Sequence, residues 1–309
     1  MKMIPELEVA QKKQNRNLGL RRPAWLKVKF KWGEDFQKVE GILKKWSLHT
    51  VCQEAICPNI SECYNQQIAT FLILGDVCTR NCSFCGVKKG KPLRIDFQEP
   101  EKVAQAVKEL GLKYVVITSV TRDDLPDGGA TIFANTVQAI KKISPEIKVE
   151  VLIPDLKGSR KALEIVINAS PDVLGHNLET IPRLYAQVRP GANYERSLSI
   201  LSWAKKFSSS LITKSGLMVG LGENKSEILS VMDDLYKVEC DLLTIGQYLP
   251  PTQLNYPVKR YYLPEEFNEF IFEGKKRGFK WIESGPLVRS SFHAYTQWQK
   301  LQLSHPYGS

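Results

Sequence analysis

The sequence predicts an α/β protein, built as a partial (β/α)6 TIM-like barrel with N-terminal and C-terminal extensions. Three observations carry this. Short β-rich runs alternate with amphipathic segments from about residue 70 onward. The strand runs recur at intervals of roughly 25–45 residues, the length of a right-handed βα unit in a parallel sheet. Helix start and stop signals sit between them.

Strands are expected at 71–74, 114–118, 149–153, 173–176, 216–219 and 242–247, with a weaker run near 281–282. Each is rich in Val, Ile, Leu or aromatic residues and too short for a helix. Helices are expected at 99–110, 131–142, 159–168, 195–207, 224–238 and 264–277. Asn224 with Glu227 has the spacing of a capping box. Gly111 and Gly278 stand where a left-handed residue ends a helix. Six or so units suit a barrel, whose chemistry sits on loops at the C-terminal ends of the strands. The chain divides into an N-terminal extension (1–66), the barrel (67–284) and a C-terminal extension (285–309).

The chain has 309 residues, 43% hydrophobic and 25% charged, with a formal charge of +10 and a pI near 9.1. That composition suits a globular protein, and no apolar run approaches the roughly 20 residues that span a bilayer. The polar, basic N-terminus lacks the apolar stretch of a secretory signal. A reducing, cytoplasmic setting is therefore expected, with no membrane partner, and clustered cysteines there read as metal ligands. Much of the positive excess lies between Lys12 and Lys45, including Arg16, Arg21, Arg22, Lys27, Lys29 and Lys31. Such an arm can steer an acidic protein, although a solvated surface is the plainer reading. No RNA-stacking or helix-turn-helix pattern favours nucleic acid. Trp25, Phe30, Trp32 and Phe36 supply apolar anchors for the arm.

Six of the seven cysteines fall within 34 residues, as two triplets: Cys52, Cys57 and Cys63, then Cys78, Cys82 and Cys85. Three thiolates leave one iron of a cubane cluster open, so two triplets suggest two clusters with different roles. A structural zinc site usually needs four ligands in paired C-x2-C units, and no second pair exists. The second triplet follows the first predicted strand directly, on the first loop at the mouth of the barrel. The remaining Cys240 reads as a small buried residue.

The x3 and x2 spacings of the second triplet, with Phe84 just before its last cysteine, resemble the radical S-adenosylmethionine superfamily. The first triplet, in Cys52-Gln-Glu-Ala-Ile-Cys57-Pro58-Asn59-Ile60-Ser61-Glu62-Cys63-Tyr64, resembles the lipoyl synthase family. That likeness continues at Ala69–Asp76, 114–130, His176–Thr180, Gly246–Thr252 and Gly285–Ala294, covering about residues 20 to 295. Small departures include Gly86 where Asp or Ala is frequent, Phe292 in place of Tyr and Thr121 in place of Asp.

The resemblance implies a sulfurtransferase with two 4Fe–4S clusters and S-adenosyl-L-methionine. Cys78, Cys82 and Cys85 would hold the cluster that cleaves S-adenosylmethionine to a 5′-deoxyadenosyl radical. Cys52, Cys57, Cys63 and the unusual ligand Ser291 would hold an auxiliary cluster that donates sulfur. The substrate would be an octanoyl-lysine on a lipoyl carrier domain of a 2-oxoacid dehydrogenase or on the glycine cleavage H protein, with sulfur inserted at C6 and C8. An electron donor such as ferredoxin or flavodoxin and an iron–sulfur carrier for cluster repair are implied partners. Phe84, Gly128, Gly129, Asn177 and Glu179 are candidate contacts to S-adenosylmethionine. Each has a plainer reading as core, turn or loop support. Lys214 and Gln247 are expected to face the mouth, and His176 and His293 lie in motifs. A biotin-synthase-like inserter, a methylthiotransferase or a plain iron–sulfur electron carrier would leave the first triplet or the βα scaffold unexplained.

Overall fold

A computed structural model describes residues 21–304. One sheet holds eight strands: β1 (His49–Thr50), β2 (Thr70–Ile73), β5 (Tyr114–Ser119), β6 (Lys148–Leu152), β7 (Val173–Gly175), β8 (Ile212–Val219), β9 (Leu242–Gln247) and β10 (Trp281–Gly285). They run in that order, with β1 antiparallel to β2 and every other pairing parallel. Two short strands, β3 (Val77–Cys78) and β4 (Lys88–Lys89), form a separate pair. The edges β1 and β10 do not pair with each other, so the barrel is open.

The helices are α1 (Glu34–Trp46), α2 (Val51–Glu54), α3 (Ile60–Asn65), α4 (Glu99–Leu110), α5 (Ala130–Ile143), α6 (Arg160–Asn168), α7 (Tyr185–Val188), α8 (Tyr194–Phe207), α9 (Lys225–Lys237), α10 (Pro264–Arg277) and α11 (Ala294–Ser304). The helices expected between the strands all form. Asn224 and Glu227 make the capping box, and Gly111 and Gly278 end α4 and α10 in the left-handed conformation. Cys240 is buried, its Sγ donating to the Leu242 carbonyl. No helix of the described residues is long and apolar enough to cross a membrane.

Alternation along each strand divides the sheet's two faces. Val115, Ile117, Val149, Val151, Leu243 and Ile245 are buried in the core clusters on which the helices pack. Thr118, Leu152, Gly216, Met218, Thr244 and Gly246, of the other parity, line a cavity inside the sheet. The C-terminal segment lies across the open side. Its α11 packs on β5 and β10, and Tyr295 and Trp298 set their rings 5.9 and 6.4 Å from Tyr114.

Two sequence expectations change here. Lys214 does not face the mouth. It lies near the start of β8, 2% exposed, 3.0 Å from an equally buried Glu150. Glu150 also accepts a 2.6 Å bond from the Tyr114 hydroxyl. A cation there has to be paired, since an isolated buried charge is very costly. In the basic N-terminal arm, Arg22 is half-buried beside Tyr261 and Arg289, and burial lowers its pKa. Of the aromatic anchors, Phe36 is buried against Tyr64 at 5.1 Å, and the exposed Trp32 packs on it at 4.7 Å with its ring tilted by 36°.

Lys214→Met leaves the buried Glu150 without its counter-charge. Urea denaturation is expected to show a loss of about 3–5 kcal/mol. Adding Glu150→Gln recovers most of it, because a neutral pair of similar volume needs no counter-charge. No recovery in the double variant would mean that packing, not charge, sets the cost.

Candidate metal centre and active site

The second triplet sits on the loop after β2, and the backbone there is held in an unusual shape. Leu74 has φ +70° and Gly75 φ +90°. A left-handed leucine is uncommon and needs support from its surroundings. Glu99 supplies it, accepting the Leu74 N–H at 2.7 Å, while Arg122 donates to the Leu74 carbonyl at 3.2 Å. Arg80, between Cys78 and Cys82, forms bidentate pairs with two carboxylates. Its Nε and Nη2 donate to Asp123 at 2.8 and 2.9 Å, and Nη1 and Nη2 donate to Asp155 at 2.9 and 2.6 Å. Burial works to raise the Asp155 pKa, but the Arg80 guanidinium overrides it and holds the carboxyl at about 2. The loop is thereby tied to the loops that follow β5 and β6. The N–H groups of Arg80 and Thr121 donate to Cys78 Sγ at 3.4 and 3.3 Å. Bonds of that kind to a metal-bound thiolate tune its electronics.

The first triplet lies on two short helices. Thr50 caps α2, which carries Cys52; the Cys57-Pro58-Asn59 turn follows, and α3 carries Cys63. Asn59 Nδ2 donates to the Leu287 carbonyl at 2.7 Å, pinning that turn to the C-terminal segment. Thr70, at the start of β2, donates to Ser291 Oγ at 2.9 Å, and it also lies beside the Cys52 thiol. Cys52 and Ser291, 239 residues apart in sequence, thus share one neighbour.

Both triplets and Ser291 line a single cavity of about 340 Å3. Phe84, Asn177 and Glu179 line it too, with Arg189, Arg289 and His176. Gly128 and Gly129 do not. They make the left-handed turn before α5 and pack against Leu156 and Leu74. Gln247 lines the cavity, but its amide is engaged in bracing: Nε2 donates to the carbonyls of Val219, Tyr248 and Arg260, and Oε1 accepts from Tyr262 N. His176 Nδ1 bonds the Ile153 carbonyl at 2.9 Å, and burial followed by the Arg189 charge pushes its pKa to about 4. His293 stacks on Phe292.

The donor set suits iron–sulfur clusters better than single ions. Around one tetrahedral zinc, sulfurs lie roughly 3.8 Å apart. Among the described residues, the group of three His, Cys, Asp or Glu ligand atoms that all lie within 4.8 Å is His49, Glu54 and Asp76; neither cysteine triplet is gathered that tightly. His49 and Asp76 are already matched, by Glu54 at 3.0 Å and Lys88 at 2.6 Å. Burial pushes the thiols of Cys52 and Cys85 up to about 12 and raises those of Cys57, Cys63 and Cys82. Such thiols are inert without a metal and become thiolates with one. Two arginines stand by as counter-charges: Arg189 beside Cys82 and Glu179, Arg289 beside Cys57 and Glu179. Neither pairs with a carboxylate within salt-bridge distance among the described residues. Asn177 Oδ1, His176 Nε2 and Arg189 Nε are buried in the cavity wall without partners among the described residues, which leaves polar capacity for a ligand.

Thr70, Arg189, Arg289 and Asn59 were not singled out from sequence. None sits in a pattern with metal-ligand spacing. Arg289 lies within Gly285–Ala294, two residues before Ser291, and is the one with a signal to find.

Known proteins agree with this geometry. Residues 72–235 match the radical SAM superfamily, and the parallel sheet with cysteines on its first loop makes the chain a radical S-adenosylmethionine enzyme. Residues 2–57 match the N-terminal domain of lipoyl synthase. A lipoyl synthase of Caldicellulosiruptor saccharolyticus is 57% identical over 89% of this chain and 96% of its own length. Those of Aquifex aeolicus and Rubrobacter xylanophilus are 55% and 53% identical, over 84% and 89% of this chain and 94% and 86% of theirs. The chain belongs to the lipoyl synthase family. Among solved structures, Streptococcus suis SuiB bound to S-adenosylmethionine aligns with TM-score 0.56 at 15% identity, covering 78% of this chain and 56% of that one. Methylornithine synthase aligns with TM-score 0.52 at 17% identity, covering 66% and 62%. These two share the fold.

In metal-free protein, Cys52 and Cys85 are expected to resist iodoacetamide. A pKa near 12 instead of 9 leaves about a thousandfold less thiolate at pH 8, and alkylation rises about tenfold per pH unit toward pH 11. Peptide mapping by mass spectrometry reads this. Modification at the rate of free cysteine would show that the pocket does not desolvate them.

Proposed function

We propose that this enzyme inserts two sulfur atoms, at C6 and C8, into an octanoyl-lysine carried by a lipoyl domain or by a glycine cleavage H protein. The observation that supports the reading most directly is the meeting of both cysteine triplets and Ser291 around one cavity. Cys78, Cys82 and Cys85 would hold one 4Fe–4S cluster with an open iron, and Cys52, Cys57, Cys63 and Ser291 a second. Bound there, the clusters and S-adenosylmethionine supply an electron, a radical able to take hydrogen from an unactivated methylene, and sulfide for the new carbon–sulfur bonds.

The chain's own residues do the rest. Asn177 and Glu179 offer an amide and a carboxylate to the polar end of S-adenosylmethionine, and Phe84 offers a ring face beside its adenine. Gly128 and Gly129 shape the loop after β5 from outside the cavity. Arg189 and Arg289 offset the negative charge of thiolate ligands that would be costly to bury alone. Thr70 donates to Ser291 and so braces the hydroxyl in the wall of the cavity that the first triplet also lines. A neutral hydroxyl is a weak iron ligand, and weakness suits a cluster that must give up sulfur. Leu72, Leu152, Met218 and Val288 make the wall apolar where a hydrocarbon chain would lie and exclude water from a reactive radical. Proximity of both centres in one cavity supplies the orientation that each carbon–sulfur step needs. A cytoplasmic setting, a ferredoxin or flavodoxin as reductant and an iron–sulfur carrier for repair complete the proposal.

Reconstituted anaerobically, the protein should bind about eight irons. With an octanoyl-lysine peptide, Cys57→Ala should keep cleaving S-adenosylmethionine to 5′-deoxyadenosine while thiolated product is lost, and Cys82→Ala should lose both. Thiolated product from Cys57→Ala would overturn the assignment of the donor cluster.

A further inference from the structure

Two loops that line the cavity also carry a surface that nothing among the described residues covers. Gly86 and Val87 belong to one, and Leu249 and Pro251 to the other. The loops are locked together. Asn255 Nδ2 donates to the carbonyls of Ser83 and Cys85 at 3.1 and 3.0 Å, and Tyr256 N donates to Ser83 O at 2.9 Å. Gly86 lies so close to Pro251 that an added Cβ would stand 2.9 Å from the proline ring. Beyond these contacts the loops turn outward. Leu93 is 82% exposed, Phe97 76% and Leu254 97%. Single exposed apolar residues are ordinary, but here three are carried by two loops that are bonded to each other beside the cavity. The same two loops carry Lys89, Lys91 and Arg94, exposed and without carboxylate partners among the described residues, and Lys259. Residues 86–97 hold four basic side chains against one acid, Asp96, which is already paired with Lys102.

We propose that residues 86–97 and 249–260 form a docking rim for an acidic carrier protein, gripped through Leu93, Phe97 and Leu254 and steered by Lys89, Lys91 and Arg94. The inference rests on the acyl-lysine substrate proposed above. A lysine side chain bearing eight carbons is a short arm, so the carrier's body must rest on the edge of the cavity while the chain reaches both metal sites. The basic edge selects a carrier with negative charge around that lysine. Such charges raise the association rate more than they deepen affinity, and the apolar contacts slow release. The basic arm at Arg21 and Lys27 can add long-range steering.

The test compares two octanoylated substrates with the reconstituted enzyme: an acidic carrier domain and a short octanoyl-lysine peptide. In the variant Phe97→Ser/Leu254→Ser, KM for the carrier domain should rise at least about tenfold, with kcat on the peptide unchanged. In Lys89→Glu/Lys91→Glu/Arg94→Glu, KM for the carrier should rise comparably, and the salt dependence of wild-type binding should largely vanish. Removing acidic residues around the carrier's lysine should have the same effect on wild-type enzyme. An unchanged carrier KM in both variants would overturn the proposal while leaving the reaction intact. Altered sedimentation of the Phe97→Ser/Leu254→Ser variant without a change in carrier KM would also overturn it, assigning the surface to self-association. Failure of wild-type enzyme to thiolate even the peptide would instead sink the proposed function.

Discussion

A parallel sheet whose last strand does not reach its first leaves one side of the barrel open, and that opening organises the protein. Backbone groups along β1 and β10 have no strand to close on. What comes to the opening is the C-terminal segment, and it comes very close. At Gly246 an added Cβ would lie 2.0 Å from the Val288 carbonyl oxygen, so only glycine lets that backbone approach β9. The same segment receives the Asn59 amide at Leu287 and the Thr70 hydroxyl at Ser291. The gap in the sheet is thus where the N-terminal cysteines and the C-terminal serine converge.

Charge sets the second constraint. Burial raises the pKa of five thiols, those of Cys52, Cys57, Cys63, Cys82 and Cys85, and so favours their neutral form. Only a cation can reverse that, and the cavity already contains two arginines with little else to neutralise. The loops that bear the thiols are held by fixed charge pairs: Arg80 with Asp123 and Asp155 on one side, His49 with Glu54 and Asp76 with Lys88 near the other. Rigid supports of this sort keep ligands in place when the group they hold changes its own charge. The Glu150–Lys214 pair plays a different part. It sits lower in the barrel, away from the cavity wall, and keeps polar groups satisfied where strands are too close for water.

The rim and the cavity are built from the same loops. Residues 83–87 carry the last cysteine inside and lead to the exposed Leu93 and Phe97 outside. A partner pressing on that rim would bear on a segment only a few residues from a proposed metal ligand. Placing recognition beside the chemistry fits a substrate delivered on a short tether.

Much of this was legible from residue order. Cysteine spacing is local, because three thiols within a dozen residues face one metal group wherever the loop is carried. Strand and helix periods are local too, and the expected elements form with shifts of a few residues at most of their ends; β8, which starts at Ile212, is the larger exception. Helix α1, the short helices α2, α3 and α7, the strands β1, β3 and β4 and the closing helix α11 lie outside the expected elements. Segments of two to six residues, or a helix with little amphipathic pattern such as α11, carry too weak a signal, whereas the 13-residue α1 is amphipathic and had a signal to find. The tertiary structure alone decided which distant residues share a wall. Lys214 turned to Glu150, Gly128 and Gly129 stayed outside the cavity, and Thr70, Arg189 and Arg289 entered it. Burial and pairing of charge depend on contacts between strands far apart in the chain, and no local pattern encodes those.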